Sequence, residues 1–419
     1  MLLERFFLLE KFGLPKRDFV AFSFSLINTL AWYFMTQQII ENLSTNLDGL
    51  IYQKVTIMGI YYLAIVLSSL CNAFIALKIK RRVLLLMWIG LGIIASLLPL
   101  IIAANSFESL TLVSFLFGFS FGIGIPSCLS FLADETVFEN RGRAGGLIFS
   151  LASILAVLFV IFNVFVNDFM LTMVYVAVWR TANLCIFRLA DLNKREIKRT
   201  ERTSFTTILR NKPFLFYLMP WLMFSLVDSL EKTYLQSYIL SYFGQSFFTF
   251  NQLMEALIGA LFAIIAGTIM DLIGRKRVIV YGFISLGLAY ATVGIAPYLD
   301  VLWYFYSIVD GIAWGIFIVI FTVVIWGDLS TPSSFREKYY TLGGIPLFIS
   351  KFIGTLFLPY TQALPKETAY AAFSLAAFFL FLAVVPLMYA PETLPEKKLR
   401  ERELRSYIEK AKKVKEKFT

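Results

Sequence analysis

Histidine is absent from the 419 residues, and cysteine occurs only three times. Without imidazole the chain can build neither a histidine-ligated metal site nor a histidine proton relay. Cys71, Cys128 and Cys185 stand far apart, each within an apolar run. This placement is typical of small packing residues rather than of a disulfide or a metal site. We therefore expect neither a bound metal nor a cofactor.

Two kinds of catalytic motif are also missing. The sequence contains no phosphate-binding loop of the GxxxxGK[ST] type, so nothing supports ATP-driven pumping. No segment resembles the residues of a catalytic triad, and a histidine for one is lacking. The protein is therefore not expected to be an enzyme.

Charged residues are scarce, at 16% of the chain against 58% hydrophobic residues. A soluble domain usually carries about 25% charged residues. Apolar stretches of about 20 residues, long enough to cross a bilayer, recur along the whole chain. The composition predicts an all-α polytopic membrane protein. The first residues, "MLLERFFLLEKFGLPKRDF", have scattered charges and no compact apolar core, so we expect a retained cytoplasmic lead-in rather than a signal peptide.

The apolar runs predict twelve membrane spans in two groups of six. Residues 190–212 form a long polar segment between the sixth and seventh spans, at the midpoint of the chain. This pattern predicts two six-helix halves, 1–189 and 213–390, joined by a basic cytoplasmic linker and followed by a charged helical tail at 391–419. The predicted spans are 19–40, 54–77, 83–104, 109–133, 144–166, 169–188, 213–240, 250–273, 278–297, 301–327, 339–362 and 368–389.

Lysine and arginine fall on alternate loops. When the N-terminus is placed inside, the inside segments hold nearly all of the 38 cations, and the outside loops hold only Lys54 and Lys366. This bias predicts that both termini are cytoplasmic. The net charge of +10 is then explained by basic loops that face anionic lipid headgroups on the cytoplasmic side, and it does not indicate binding of a nucleic acid. We expect a multi-pass protein of the plasma membrane, with the lipid bilayer as a partner.

A compact motif, "GTIMDLIGRKR", ends the eighth span and turns into the ninth. Its first glycine allows close approach of helices, its last glycine allows a tight turn, and the three cations hold that turn at the headgroups. The motif consists of Gly267, Asp271, Gly274, Arg275, Lys276 and Arg277. Here the chain resembles the major facilitator superfamily, which carries this motif between the second and third helices of each half. The resemblance implies that twelve helices form the major facilitator fold.

The resemblance also implies a role for Asp271. In the family this carboxylate looks toward the start of the eleventh helix, where it accepts from free backbone N–H groups and closes the cytoplasmic side. The first-half counterpart, "NAFIALKIKRR", keeps its cations but has Asn72, Ala76 and Ile79 in place of the glycine, the aspartate and the second glycine. This loss leaves open a non-transporting relative, such as a receptor or an accessory subunit.

Three further segments are similar to those of sugar porters. Asp134 and Arg141 lie in "DETVFENRGR" after the fourth span, and Asp328 and Arg336 lie in "GDLSTPSSFREK" after the tenth. "APETLPEK" after the twelfth span looks like the tail signature of the same subgroup. The four charged residues join the predicted gating motif. The fourth span has no arginine and the fifth lacks a glycine–proline motif, which argues against the drug–proton antiporters.

Ionisable residues inside spans are costly and are therefore candidates for function. Asp228, Asp310 and Lys351 all fall near the middle of their spans, and the resemblance implies that the seventh and tenth helices line a central cavity. Indole faces beside a few polar groups suit a sugar-like or amphipathic solute. Two simpler interpretations stay open, since Asp310 and Lys351 can form a structural ion pair, as can Asp228 and Lys232. The predicted substrate-binding residues are Asn28, Trp32, Asp228, Asp310, Trp314 and Lys351.

These patterns predict a secondary transporter that moves a small polar or amphipathic solute by alternating access. The solute is expected to be sugar-like or another organic metabolite, and sugar symport is one form of this function. A proton or a sodium ion is left open as the coupling partner, with Asp228, Glu231 and Asp310 as candidate carriers of a proton. The alternative function is a receptor or accessory subunit of the same fold.

Overall fold

The computed structural model describes residues 16–46, 50–102, 106–166, 168–188, 204–330, 335–361 and 368–394. Within these ranges the chain is almost entirely helical. The predicted lead-in, most of the predicted linker and the predicted helical tail lie outside the described residues.

Twelve long helices correspond one to one with the predicted spans. Eleven of them, in the ranges that the structure describes, are long and apolar enough to cross a membrane, and α1 is the additional long helix. The prediction of an all-α polytopic membrane protein is confirmed. A short helix, Phe205–Leu209, precedes α7. The first six helices are α1 Lys16–Asn46, α2 Ile51–Ile75, α3 Arg81–Ile101, α4 Phe107–Gly122 continued by Ile125–Glu135, α5 Arg141–Val166 and α6 Phe169–Arg188. The second six are α7 Lys212–Tyr242, α8 Gly244–Ile273, α9 Arg275–Ile295, α10 Asp300–Val319 continued through Ile320–Val324 to Leu329, α11 Arg336–Thr361, and α12 Thr368–Leu382 continued by Val384–Tyr389.

The break in α4 follows from its sequence. Pro126 stands in the first turn of the second segment, where its missing N–H costs nothing. A Cβ at Gly124 would lie 2.1 Å from the indole of Trp88, so only glycine lets this side chain pack into the break. The Trp88 indole N–H donates to the carbonyl of Ser120, which the interrupted helix leaves available (2.7 Å).

In α10 a single π turn, Ile320–Val324, interrupts the α-helical pattern. A π turn displaces backbone carbonyls from their usual partners. Here side chains take up two of them: the Trp326 indole donates to the carbonyl of Phe321, and the Tyr340 hydroxyl donates to that of Val323 (2.6 Å). The turn lies next to the first residues of α11, as the hydrogen bond from Tyr340 shows.

The first six helices pack mainly with one another, as do the last six, and α5 with α8 and α2 with α11 form the seams between the two groups. The α5–α8 seam is a contact of backbones. A Cβ at Gly267 would lie 2.2 Å from the carbonyl oxygen of Gly142, and one at Gly146 would lie 2.3 Å from that of Ala263. Small residues are what allow helices in a membrane to approach this closely. We call this contact the glycine seam.

Candidate functional site: a charged gate and two cavities

One end of the helix bundle carries a network of buried ion pairs. We call it the basic end; its arginines are Arg81, Arg141, Arg275 and Arg336. Asp328 of α10 lies at the centre of one part, with a fully buried carboxylate that accepts from Arg141 of α5 and from Nε of Arg275 (3.3 Å). Thr393, after α12, also donates to Asp328 (3.0 Å). This cluster ties helices of the first group to helices of the second.

Asp134, at the end of α4, holds the second part of the network. It accepts from Arg81 at the start of α3 (2.6 Å) and from Arg336 at the start of α11. Arg81 also donates to Glu337 of α11 (2.7 Å). Asp134 therefore joins the first group of helices to the second, as Asp328 does. Glu337 was not predicted from the sequence, although it directly follows the predicted Arg336.

Asp271 accepts from the backbone N–H groups of Gly142 (3.0 Å) and Arg143 (2.8 Å), at the start of α5. It also pairs with Arg275 one turn later (2.9 Å), and both side chains are fully buried. The expectation that Asp271 meets the start of the eleventh helix was wrong. The reason is the glycine seam, which brings the end of α8 against the start of α5. The carboxylate still meets the positive end of a helix dipole, as expected, but the helix is α5 and not α11.

The turn after Asp271 is also closed by a carboxylate. Gly274 has φ of 106°, which favours glycine, and a Cβ there would lie 2.6 Å from the carboxylate of Glu392. Glu392 accepts from the backbone N–H groups of Arg275 (2.8 Å) and Lys276 (3.1 Å) and so caps α9. Arg277 is exposed. The segment after α12 is therefore part of the charged network at the basic end.

The degenerate first-half motif has a different role. Asn72 is fully buried and accepts from the Ser127 hydroxyl (3.0 Å), while its amide donates to the carbonyl of Ile123. Asn72 therefore bridges the two segments of α4 at their break, and among the described residues it forms no hydrogen bond with a helix terminus of the other group. The motif still contributes to the charged network at the basic end through Arg81, the cation that pairs with Asp134 and Glu337.

Two cavities lie between the helix groups. The central cavity, of about 420 Å³, is mainly apolar and aromatic, and both groups line it. The polar cavity, of about 380 Å³, reaches Glu41 and Lys54 at the end of the bundle opposite to the basic end. Gln37, Glu41, Glu255 and Lys351 line both cavities, which therefore meet. The aromatic residues of the central cavity are Tyr33, Phe34, Phe121, Phe149, Trp221, Trp314, Phe321, Trp326, Tyr340 and Phe348.

Three predicted substrate-binding residues line these cavities. Trp314 faces the central cavity and Asp228 the polar cavity, and the Trp314 indole N–H donates to the Asp228 carboxylate (3.0 Å). The Lys351 ammonium lies 5.9 Å from the centre of the Tyr62 ring. Asp310 is buried on α10. The side chain of Lys232 lies outside the described part of the structure.

A buried hydrogen-bond cluster adjoins the polar cavity. Glu231 of α7 accepts from the hydroxyl of Tyr290 (2.9 Å) and from that of Tyr306 (3.0 Å). Next to it, the Ser307 hydroxyl donates to Asn251 (2.7 Å). The sequence reveals the acid but not its tyrosines, because tyrosines are frequent in this chain and nothing distinguishes these two.

The sequence profile of the Major Facilitator Superfamily matches residues 18–326 of this chain, which is most of its length. The protein belongs to the major facilitator superfamily. It is accordingly a secondary transporter of a small-molecule solute across a membrane, and not an enzyme. No curated protein matches the sequence significantly.

Solved structures of this superfamily share the fold at low sequence identity. The proton:xylose symporter XylE, bound to 6-bromo-6-deoxy-D-glucose, is 12% identical and superposes with a TM-score of 0.71 over 90% of this chain and 96% of that one. The human organic anion transporter MFSD10 (TETRAN) is 13% identical, with a TM-score of 0.65 over 89% of this chain and 100% of that one. The twelve-helix major facilitator fold is thus confirmed.

Two predicted substrate-binding residues of this major facilitator protein face away from the cavities. Asn28 and Trp32 are fully buried within the first helix group. The Asn28 amide donates to the carbonyl of Trp179 on α6 (2.6 Å), and the Trp32 indole donates to Ser96 on α3 (2.8 Å). The two residues lie one turn apart on α1, but the sequence does not show which neighbours they meet.

Arg180 of α6 is the charged centre of the first helix group. It is fully buried, and its guanidinium lies 5.1 Å from the Trp32 ring and 4.9 Å from the Trp88 ring. It donates to Thr29 (2.5 Å), and no carboxylate pairs with it among the described residues. Aromatic faces attract a desolvated cation, so the two indoles substitute for a counterion in this major facilitator protein.

Proposed function

We propose that the protein moves a small polar or amphipathic organic solute, sugar-like or another organic metabolite, across the plasma membrane by alternating access. The observation that carries this proposal is the central cavity, which both helix groups line. Buried ion pairs separate it from the basic end. Toward the other end of the bundle it meets the polar cavity, which reaches Glu41 and Lys54. Rocking of the two groups about such a cavity exposes it to each side in turn.

The distribution of Lys and Arg supports placing the basic end in the cytoplasm, with both termini on that side. The conformation described is then closed to the inside, and a solute would enter from the outside through the polar cavity. A coupling proton or sodium ion would be taken up at Asp228 or Glu231, which line that cavity. Uptake of a charge there would make the closed and open states respond to an ion gradient.

A single cysteine at Gly344 tests alternating access without knowledge of the solute. Gly344 lines the central cavity, and no atom lies within 4 Å of a Cβ built there. In a chain whose three native cysteines are replaced, we expect Gly344→Cys to react with an impermeant thiol reagent from outside in right-side-out vesicles. We also expect slower labelling from the cytoplasmic face in inside-out vesicles, since the gate opens only part of the time.

The two vesicle orientations separate the candidate functions. Labelling from one face only would contradict transport and favour a receptor or accessory subunit. Cysteines at Ser246 and Lys194 give the matching control for sidedness: the first should react only from outside and the second only from inside.

The contact between Asp271 and α5 leads to a second prediction. Asp271→Asn removes the charge that faces the α5 N-terminus and Arg275, which should weaken the inside-closed state by about 1–2 kcal/mol. Cytoplasmic labelling of Gly344→Cys should then rise roughly 5- to 30-fold. Arg277→Gln, an exposed change in the same motif, is the matched control. Unchanged labelling in Asp271→Asn would reduce the motif to a basic turn that only orients the chain.

A further inference from the structure

Negative charges predominate among the described residues that line the two cavities, with four carboxylates against two ammonium groups. Lys54 donates to Thr45 (2.9 Å) in exposed surroundings at the mouth, where water and salt screen its charge. Pairing of Lys351 with one carboxylate still leaves more carboxylates than ammonium groups among the described lining residues. The four carboxylates are those of Glu41, Asp228, Glu231 and Glu255.

The lining changes from polar to aromatic between the two cavities. Glu255 of α8 lies where the two cavities meet, and beyond it the central cavity is walled by aromatic rings of both helix groups. Trp314 is held in place by its hydrogen bond to Asp228 and by an edge contact with Phe224 (ring centres 5.1 Å apart). The faces of such rings attract organic cations, and the attraction grows as the cation loses water.

Tyr33 of α1 adds an independent indication of a ligand site at the central cavity. It is 5% exposed, it lines the central cavity, and its hydroxyl has no hydrogen-bond partner among the described residues. Buried hydroxyls are nearly always hydrogen-bonded, so an unmatched one at a cavity wall is available to a polar group of a bound molecule. The ring of Tyr33 packs against Phe121 and Phe348, which line the same cavity.

We propose that the solute is an amphipathic organic cation, with an aromatic or aliphatic body in the central cavity and an ammonium group near Glu255. This inference rests on the proposed function and narrows its solute class. A negative excess inside a cavity with low-dielectric walls concentrates cations and repels anions. The carboxylate of Glu255 gives the ammonium a counter-charge where the two cavities meet, and the aromatic walls bind the body behind it.

Three probes of similar shape and different charge test this assignment: phenyltrimethylammonium, uncharged 2-phenyl-2-propanol and benzenesulfonate. Binding to the purified full chain is measured by thermal stabilisation over a concentration series, which yields a dissociation constant for each probe. We expect the ammonium compound to bind at least about tenfold more tightly than the neutral one, and benzenesulfonate to bind least. Equal or tighter binding of the neutral or anionic probe would overturn the proposal, as would no stabilisation by the ammonium probe at concentrations well above about 1 mM.

Glu255→Gln tests the anchoring residue. We expect it to weaken binding of phenyltrimethylammonium about tenfold, because it removes the counter-charge, while leaving 2-phenyl-2-propanol unaffected. Glu108→Gln, an exposed change in the first turn of α4, is the matched control and should alter neither. An equal loss for both probes, or no loss for the cation, would exclude Glu255 as its anchor. These outcomes are separate from alternating access, since Gly344→Cys can be labelled from both sides whichever charge the cavity prefers.

Discussion

Asp328→Asn is expected to open the basic end. In the closed state Asp328 is the carboxylate partner of Arg141, which has no other among the described residues, and both side chains are almost completely buried. Removing one partner of a buried ion pair strands the other, at a cost of about 3–5 kcal/mol. Arg275 suffers less, because it keeps Asp271. Opening of the basic end lets water reach the Arg141 guanidinium and so relieves part of that cost. The population therefore shifts from the closed state toward the open state.

The measurement is cytoplasmic labelling of Gly344→Cys in the Asp328→Asn background. A shift of about 3 kcal/mol corresponds to more than 100-fold, so labelling should approach the rate of a permanently open cavity. The melting temperature should fall as well, but by less than a stranded charge alone implies. Asp300→Asn, an exposed carboxylate at the other end of the same helix, is the control. Slow labelling in the Asp328 variant, as in the parent chain, would show that this ion pair does not hold the gate.

Gly267→Ala should prevent the closed state from forming. The added methyl group would lie 2.2 Å from the carbonyl oxygen of Gly142 and 2.9 Å from its carbonyl carbon, and both are backbone atoms. Relief requires α5 and α8 to separate by about 1 Å or more, since carbon contacts are normally 3.5–4.0 Å. That separation also lengthens the hydrogen bonds from the α5 N-terminus to Asp271. We therefore expect labelling from the cytoplasm to become complete and labelling from outside to fall.

The same exchange at Gly90 provides the control for the glycine seam. Gly90 lies within α3, and no atom stands within 4 Å of a Cβ built on it. Gly90→Ala should be neutral or stabilise the helix by about 0.5–1 kcal/mol, because alanine loses less backbone entropy. Gly146→Ala, which places its methyl group 2.3 Å from the carbonyl oxygen of Ala263, should reproduce the effect of Gly267→Ala. A closed gate in both seam variants would contradict the glycine seam.

The number and positions of the helices could be predicted from the sequence because each signal is local. About 20 consecutive apolar residues indicate a membrane span, and Gly124 and Pro126 indicate the break in α4. Three carboxylates of the basic end, Asp134, Asp271 and Asp328, were also among the predicted residues, since each stands at the edge of an apolar run. What they bind could not be predicted, because the contact of Asp271 with α5 joins residues more than a hundred positions apart.

The cavity was predicted less well for a related physical reason. Trp314 lines the central cavity and Asp228 the polar cavity. Asn28 and Trp32 instead contact α6 and α3, since a helix inside a bundle has polar groups on more than one face. Glu255, which is not among the predicted substrate-binding residues, lines both cavities. Helical periodicity identifies which residues share a face, but not whether that face meets a neighbour or a void.

The glycine seam has a consequence for the thermodynamics of the transport cycle. Where two backbones touch directly, parting them frees no long side chain and rejoining them immobilises none. Ordering a rotamer-rich side chain at an interface costs up to about 2 kcal/mol, and at this seam that cost is absent in either direction. The entropy difference between the two states at this contact is therefore small. The way the balance between the states changes with temperature then depends on other contacts, among them the ion pairs of the basic end and the α2–α11 seam.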